Sequence, residues 1–206
     1  MKVLERKHPA AIRWFHWINF PLLAVMVWSG AMIYWANQVY LIKLPKNFLA
    51  YRLAEGMAFH FFFMWFFAIN GVAYVIYTIV SGAWRELLPD RRSFIEAIQV
   101  TLHDLHLRRE APPQGKFNAA QRIAYTAIVV MGLFSLLTGL AIYKPVQFAW
   151  LTWLFGGYQG ARFLHFWLTV GYVVFFVVHI GQVIKTGWNN FRAMIIGVEV
   201  REVPGE

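Results

Sequence analysis

The most informative part of the sequence is residues 161–184, which read ARFLHFWLTVGYVVFFVVHIGQVI. A helix of about 20 apolar residues is long enough to cross a membrane, and this stretch qualifies. It contains two histidines, His165 and His179, which are 14 residues apart. In a helix this spacing separates them by roughly 21 Å along the axis and by about 40° around it. They therefore share one face but are expected near opposite membrane surfaces.

Three other stretches are also long and apolar enough to span a membrane: residues 14–36, 53–80 and 123–143. The second has no charged residue after Met57, and the third has none at all, which is atypical of a soluble core helix. No internal repeat or low-complexity tract divides the chain. The sequence therefore predicts an all-α protein, a four-helix transmembrane bundle formed by one domain over residues 1–206.

The overall composition agrees with a membrane protein and excludes several kinds of redox centre. Hydrophobic residues make up 59% of the chain and charged residues only 14%, against about 25% charged residues in soluble domains. The absence of cysteine excludes disulfides, iron–sulfur clusters and covalently attached haem. The net charge of +9 comes from Lys and Arg at the ends of apolar runs, so we interpret it as a topology signal and expect no nucleic-acid partner.

The distribution of basic residues predicts the orientation. With four spans, both termini and the connection between spans two and three share one side, which has 14 Lys and Arg against 5 on the other. The positive-inside rule assigns this side to the cytoplasm. A cleaved signal peptide is the competing interpretation of the N-terminal segment, but its apolar run is long and no clear cleavage site follows.

The two longer connections have patterns of their own. Between spans two and three, Ser93 and Glu96 resemble a capping box at the start of a cytoplasmic amphipathic helix, which we expect on the membrane surface or under a partner. Its apolar residues are Phe94, Ile95, Ile98, Leu102 and Leu105. On the other side, the aromatic residues of 145–160 predict an interfacial loop; they are Phe148, Trp150, Trp153 and Phe155.

Four histidines fall in or at the edge of the spans and pair by depth. His60 lies early in a span that starts on the same side of the membrane as the span of His165. His16 lies early in a span that starts on the opposite side, where the span of His179 ends. Because a histidine in the membrane needs a partner, the pairs His60/His165 and His16/His179 predict two stacked sites. Two axial imidazoles suit a low-spin b-type haem, whereas zinc would need more ligands and a proton relay would need carboxylates. Purely structural histidines remain the simpler alternative.

Weaker signals surround these sites. Gly132, Ser135 and Gly139 form a small-residue stripe that suits either a flat cofactor or plain helix packing. Arg13, Arg52 and Arg162 lie near the ends of histidine-bearing spans, where they would serve haem propionates or simply mark topology. On the connecting helix, His103, Asp104 and His106 suit a metal site or, equally well, a solvated face.

Several motifs together resemble the bacterial cytochrome b561-like family. They are His8-Pro9, Ile12-Arg13, His16-Trp17, Asn19, His60, and the His165/His179 pair. This family includes the b-type membrane subunits of nickel–iron hydrogenases, formate dehydrogenases and thiosulfate reductases. The thiosulfate-reductase type is the most similar, on segments 116–125, 137–141, 155–157 and 161–166, which read KFNAAQRIAY, LTGLA, FGG and ARFLHF.

The resemblance implies an electron-transfer subunit of the bacterial inner membrane. Such a subunit connects quinone or quinol to an extracytoplasmic catalytic partner, which could be a molybdopterin oxidoreductase, an iron–sulfur protein or a hydrogenase. By the same resemblance the His60/His165 haem faces the partner and the His16/His179 haem lies near a quinone pocket. Candidate pocket residues are the polar groups at that level: Arg13, Asn19, Asn118, Gln121 and Gln182.

Two other functions remain open at this stage. One is a stand-alone cytochrome b561 that oxidises a diffusible donor and reduces quinone without a dedicated partner. The other is a haem-free transporter that moves ions or protons through the paired histidines, although the short chain lacks the repeats and broken helices common in transporters.

Overall fold

The structure is a computed structural model that describes residues 2–36, 52–104, 106–110 and 117–202. Leu105 of the predicted apolar face and the basic residues Lys43, Lys46 and Lys116 lie outside these ranges. The described elements follow one another as β1 (Lys2–Arg6), α1 (Ala10–Ala36), α2 (Leu53–Val80), α3 (Trp84–Leu87), α4 (Ser93–Asp104), α5 (Ala119–Tyr143), α6 (Ala149–Leu154), α7 (Gly157–Ile196) and β2 (Val198–Glu202).

The four long helices α1, α2, α5 and α7 confirm the four predicted spans. Each is long and apolar enough to cross a membrane, and no more than 11% of the most apolar window of any of them is buried within the chain. Large side chains such as Phe62, Ile69 and Val80 are exposed along them. Apolar surface of this extent is covered by lipid rather than by water, so the chain is a multi-pass membrane protein.

The ends of the spans differ from their predicted limits because a helix continues beyond its apolar run. α5 begins at Ala119 rather than at 123, since Asn118 and Gln121 form a capping box that starts the helix in a polar turn. α7 begins at Gly157 and continues to Ile196, well past the predicted end at 184. It is interrupted at Gly187, where φ is 80° and ψ is −179°, a conformation open to glycine and strained for other residues.

The described residues form two compact units, and α2 and α7 contribute to both. The first unit comprises residues up to Gly71 and residues from Thr169 onward. Its sequence-distant ends meet in a two-stranded antiparallel sheet, in which Lys2 is opposite Glu202 and Arg6 is opposite Val198. This sheet was not predicted, because strand pairing between distant segments leaves only a weak local signal. Both termini of the described chain therefore lie at the same end of α1 and α7.

The second unit, residues 72–168, is organised around α5, which packs against α3, α4 and α6. Its small buried core consists of Ala141, Leu151 and Ala161, with Phe148 and Phe155 packed against it. The predicted aromatic segment thus contains a short helix, α6, anchored by two of its four aromatic rings. The other two rings, Trp150 and Trp153, are exposed, as expected at a membrane interface.

The predicted amphipathic helix is present as α4, but it is capped one turn earlier than expected. Asp90 Oδ1 accepts hydrogen bonds from the backbone N–H of Ser93 at 2.8 Å and of Arg92 at 3.0 Å. In return, Ser93 Oγ accepts from the Asp90 backbone N–H at 3.0 Å. The reciprocal pair is therefore Asp90 with Ser93 rather than Ser93 with Glu96. The apolar side chains of Phe94, Ile95 and Ile98 remain exposed.

Candidate functional site

Within the first unit, His16 of α1 and His179 of α7 lie side by side. Their ring centroids are 6.1 Å apart and their planes are inclined by 55°, so the rings are not stacked on each other. Phe175, one turn before His179, stacks on the His179 ring at 5.8 Å with an angle of 5°. The structure thus brings together the histidine pair that the sequence predicted at this depth.

Side chains of α1 hold the end of α7 in place next to this pair. The last carbonyls of a helix have no partner within the helix. Trp17 Nε1 donates to the Met194 carbonyl at 2.9 Å, and the Arg13 guanidinium donates to the Ile195 carbonyl. The positive charge of Arg13 also complements the negative end of the helix dipole. Arg13, a candidate pocket residue, therefore has a helix-capping contact in addition to lying one turn before His16.

Two buried or half-buried amides lie near His16: Asn19, one turn later on α1, and Asn70 of α2. The Asn70 side-chain NH₂ donates to the Phe15 carbonyl at 3.3 Å and to Asn19 Oδ1 at 3.5 Å. Asn70 is only 9% exposed, and it was not predicted from the sequence as a site residue. The available signal was that Asn70 is the one amide within the apolar run of α2. Gln182, another candidate, lies three residues after His179 on the same helix.

His60, on α2 of the first unit, is anchored by a Ser–Gly dipeptide of α1. Ser29 Oγ lies 3.0 Å from His60 Nδ1. A Cβ atom at the adjacent Gly30 would be 3.6 Å from His60 Cε1, an ordinary contact distance, so the ring packs closely against α1 at this position. Ser29 is fully buried.

His165, on the part of α7 that belongs to the second unit, is anchored in the same way by α5. Thr138 Oγ1 lies 2.9 Å from His165 Nδ1. A Cβ atom at the adjacent Gly139 would be 3.4 Å from His165 Cε1. Thr138 is fully buried. Ser29 and Thr138 were not predicted as site residues, although the hydroxyl–glycine dipeptides 29–30 and 138–139 were visible in the sequence.

The other candidate residues are accounted for by local contacts. Asn118 and Gln121 cap α5, with Asn118 Oδ1 accepting from the Gln121 backbone at 2.8 Å and Gln121 Oε1 accepting from the Asn118 backbone at 3.1 Å. Arg52 pairs with Glu55, and Arg162 lies over the Tyr158 ring. Within the described ranges, no three side chains among His, Cys, Asp and Glu gather as a metal site, and this includes the segment with His103 and His106.

Four spanning helices with half-buried histidines among apolar side chains are typical of a class of membrane protein, the multi-pass membrane cytochromes. The chain belongs to the prokaryotic cytochrome b561 family, whose model matches residues 7–197. It is also 34% identical over 179 residues to a protein of Azospira oryzae named putative protein-methionine-sulfoxide reductase subunit YedZ1, with 85% of this chain and 89% of that protein covered. Membership of this family identifies a membrane electron-transfer protein and implies a b-type haem.

The histidines present fit such a haem. Two imidazoles bound at about 2 Å to opposite sides of one metal ion have ring centroids roughly 6 Å apart. The 6.1 Å between His16 and His179 agrees with this distance. In addition, His16 Nδ1 is buried and has no hydrogen-bond partner among the described residues, as suits an imidazole positioned for something other than a protein contact.

Proposed function

We propose that this protein carries two b-type haems, one bound by His16 and His179 and the other by His60 and His165. It passes electrons between the quinone pool and a catalytic subunit on the extracytoplasmic side. The observation that carries the proposal is the 6.1 Å distance between the rings of His16 and His179. These residues come from the first and last spans, and at this separation both could bind the iron of one haem.

The second site is supported by sequence depth and by the matched surroundings of its two histidines. His60 and His165 each follow closely on the entry of a span from the same side of the membrane. Within its own unit, each has Nδ1 beside a buried hydroxyl and Cε1 beside a glycine. Because their surroundings are so similar, we expect both histidines to have the same role, as ligands of one haem.

The chain's own residues supply the ligands and a dry, apolar environment. A b-type haem, when bound, supplies one-electron oxidation and reduction. Phe175 fixes the plane of the His179 ring by stacking on it, and Phe20 stacks on the neighbouring Phe176 at 6.1 Å. Such apolar contacts exclude water and lower the local dielectric constant, and both influence a reduction potential.

We propose that quinone binds near the His16/His179 pair. Asn19 and Asn70 provide amide groups there, and Arg13 and Gln182 lie one turn from the two histidines. Amide and guanidinium groups can donate hydrogen bonds to a quinone carbonyl oxygen. Asn118 and Gln121 remain candidates from the sequence, but both side-chain oxygens already serve the cap of α5.

The Azospira relative supports a dedicated catalytic partner. Its name describes a subunit of a protein-methionine-sulfoxide reductase. A reductase of this kind is therefore the first partner to test, ahead of the hydrogenase and formate dehydrogenase classes. We also propose that the protein lies in the inner membrane with both termini in the cytoplasm, because 14 Lys and Arg fall on that side against 5 on the other.

The proposal is tested by a dithionite-reduced minus oxidised spectrum of the detergent-purified protein, with haem counted per chain as the pyridine haemochrome. Two b-type haems per chain with narrow low-spin bands are expected. One haem per chain would contradict the second site. A haem-free protein, purified from cells with ample haem supply, would contradict the electron-transfer function and favour a transporter.

A further inference from the structure

We infer that Ser29 and Thr138 are positioning residues that set the tautomer and the orientation of His60 and His165, so that both rings offer Nε2 to iron. This inference rests on the proposed second haem. It adds that the haem site is prepared by two helix positions that supply no ligand, one on α1 and one on α5.

Each of the two hydroxyls has a single hydrogen to donate. Thr138 Oγ1 lies 2.6 Å from the Phe134 carbonyl oxygen, and Ser29 Oγ lies 2.7 Å from the Val25 carbonyl oxygen. Two oxygen atoms this close repel each other unless a hydrogen lies between them, and a carbonyl has none to give. Each hydroxyl therefore donates to the carbonyl one turn earlier on its own helix.

The two imidazoles are the donors to these hydroxyls. Since its hydrogen is already used, each hydroxyl can only accept from the histidine that faces it. His60 Nδ1 at 3.0 Å and His165 Nδ1 at 2.9 Å must then be the donors. A neutral imidazole has one N–H, so protonation at Nδ1 leaves the lone pair on Nε2, the atom that binds a metal.

A glycine lies beside each imidazole ring. Gly30 follows Ser29 and Gly139 follows Thr138, and both face the Cε1 edge of the same histidine. The hydroxyl on Nδ1 fixes the direction of the ring, and the glycine beside Cε1 lets the ring pack closely against the neighbouring helix. The same pair of contacts occurs on two different helices, which indicates a shared purpose rather than chance packing.

The contrast with His16 sharpens the inference. His16 Nδ1 has no hydrogen-bond partner among the described residues, whereas the Nδ1 atoms of His60 and His165 both have a hydroxyl acceptor. A hydrogen bond from the far nitrogen makes the ligating nitrogen a stronger donor and favours the oxidised metal. Ser29 and Thr138 would therefore give the His60/His165 haem a lower reduction potential than it would have without these two hydrogen bonds.

The roles differ between the spans as a result. α5 contributes none of the four proposed ligands, yet it contributes Thr138 and Gly139. The third span would therefore contribute to haem binding by positioning His165, although it supplies no ligand.

The experiment compares Ser29→Ala, Thr138→Ala and the double variant with wild type in the detergent-purified full chain. The readouts are haem per chain, the low-temperature EPR signals of the low-spin haems, and a potentiometric titration. We expect the affinity for one of the two haems to fall about tenfold in each single variant, since removing the group that hydrogen-bonds a metal-ligating histidine costs 10–100-fold in metal affinity. The EPR signal and potential of that haem should shift, with the potential moving upward, while the other haem is unchanged.

Two further variants separate hydroxyl chemistry from folding. Thr138→Ser retains the hydroxyl and is expected to retain the wild-type EPR signal and potential. Thr126→Ala removes another hydroxyl of α5, one that donates to the Leu87 carbonyl at 3.1 Å and has no hydrogen bond to a histidine among the described residues, and should leave both haems unaltered.

The outcomes distinguish this inference from the proposed function. A wild-type protein with two haems whose EPR signals and potentials are the same in Thr138→Ala and Ser29→Ala would overturn the inference and leave the proposed function standing. A wild-type protein with a single haem, bound by His16 and His179, would overturn both. Equal effects from Thr126→Ala and Thr138→Ala would also overturn the inference, because a hydroxyl without an imidazole partner would then suffice.

Discussion

The rings of His16 and His179 lie 6.1 Å apart between centroids, although α1 and α7 are the first and last spans of the chain. Contacts at the end of α7 maintain this proximity, since Trp17 and Arg13 of α1 both donate to its last carbonyls. The geometry of the proposed ligand pair therefore depends on a small number of contacts just outside the apolar part of the helices.

Replacing one member of a proposed ligand pair should remove one haem and spare the other. We expect His16→Ala and His179→Ala to abolish the same component of a potentiometric titration, and His60→Ala and His165→Ala to abolish the other. Each variant should contain about half the wild-type haem by pyridine haemochrome. His103→Ala is the matched control and should retain both haems; a loss there, with none in His60→Ala, would overturn the assignment.

Enlarging Gly139 should expel the haem held by His165 in proportion to the size added. A methyl group at this position would lie 3.4 Å from Cε1 of His165, at the limit of ordinary contact, whereas a longer side chain would occupy the space of the ring. Gly139→Ala is expected to retain both haems and Gly139→Leu to lose one, measured as haem per chain. Gly71→Leu, at a helix position where an added Cβ would meet no described atom within 4 Å apart from the adjacent backbone of its own helix, serves as control, and the prediction fails if it loses as much haem.

Removing the indole N–H of Trp17 should destabilise the contact between α1 and the end of α7. Trp17→Phe eliminates the 2.9 Å hydrogen bond to the Met194 carbonyl but keeps an aromatic ring against Phe191. The expected loss is about 1 kcal/mol of unfolding free energy, the usual net value of one hydrogen bond. It is measured from thermal unfolding followed by circular dichroism. The neighbouring Trp14, which is 69% exposed, provides the control Trp14→Phe, expected to be neutral.

A side chain at Gly187 should strain the break in α7. The backbone there has φ of 80° and ψ of −179°, which costs a residue with a Cβ atom about 1–3 kcal/mol. Gly187→Ala should therefore lower the midpoint of thermal unfolding. Gly71→Ala, inside a regular helix, should leave the midpoint unchanged or raise it, since alanine favours helix. An equal decrease in both variants would show that the break is not under strain.

The cap of α4 should weaken in acid. Hydrogen bonds from the side chain and backbone of Ser93, with a smaller contribution from Arg122, hold the pKa of Asp90 below its ordinary value of 3.8. A depressed pKa means that the ionised cap contributes stability above pH 3.8, and that this contribution is lost as the pH falls through the lower folded value.

Hydrogen exchange measures this effect. After correction for the intrinsic rate, the amides of Arg92 and Ser93 should exchange faster as the pH falls below 3.8. Asp90→Asn keeps an acceptor oxygen without a titratable group and should abolish the pH dependence. A pH dependence that persists in Asp90→Asn would assign it to another group.

The parts of the fold that follow from local chemistry were predictable, and those that depend on distant pairing were not. Continuous apolar runs without charge located α2 and α5, because lipid tolerates little else over that length. The same signal stopped at 184 in α7, since polar residues interrupt the apolar run between 185 and 192, and the last carbonyls of this helix are held by α1. The strand of residues 198–202, VEVRE, begins by alternating Val with charged residues, but its partner, β1, lies at the other end of the chain.

The candidate site shows the same division. The spacing of His165 and His179 and the depth of His16 and His60 could be obtained from helix geometry alone. The roles of Ser29 and Thr138 could not, because they depend on which neighbouring helix presents which face. Asn118 and Gln121 illustrate the converse, since their amide groups suggested a ligand pocket while their spacing of three residues is that of a helix cap.

The sheet formed by β1 and β2 has a consequence for the order of events during synthesis. Lys2 is made before the four spans, and its partner Glu202 is made after them. Because contacts between residues so distant in sequence form late, β1 must wait without its partner while the helices insert. The sheet can then form only after all four spans have been made, so the contact between the end of α7 and the start of α1 belongs to a late stage of assembly.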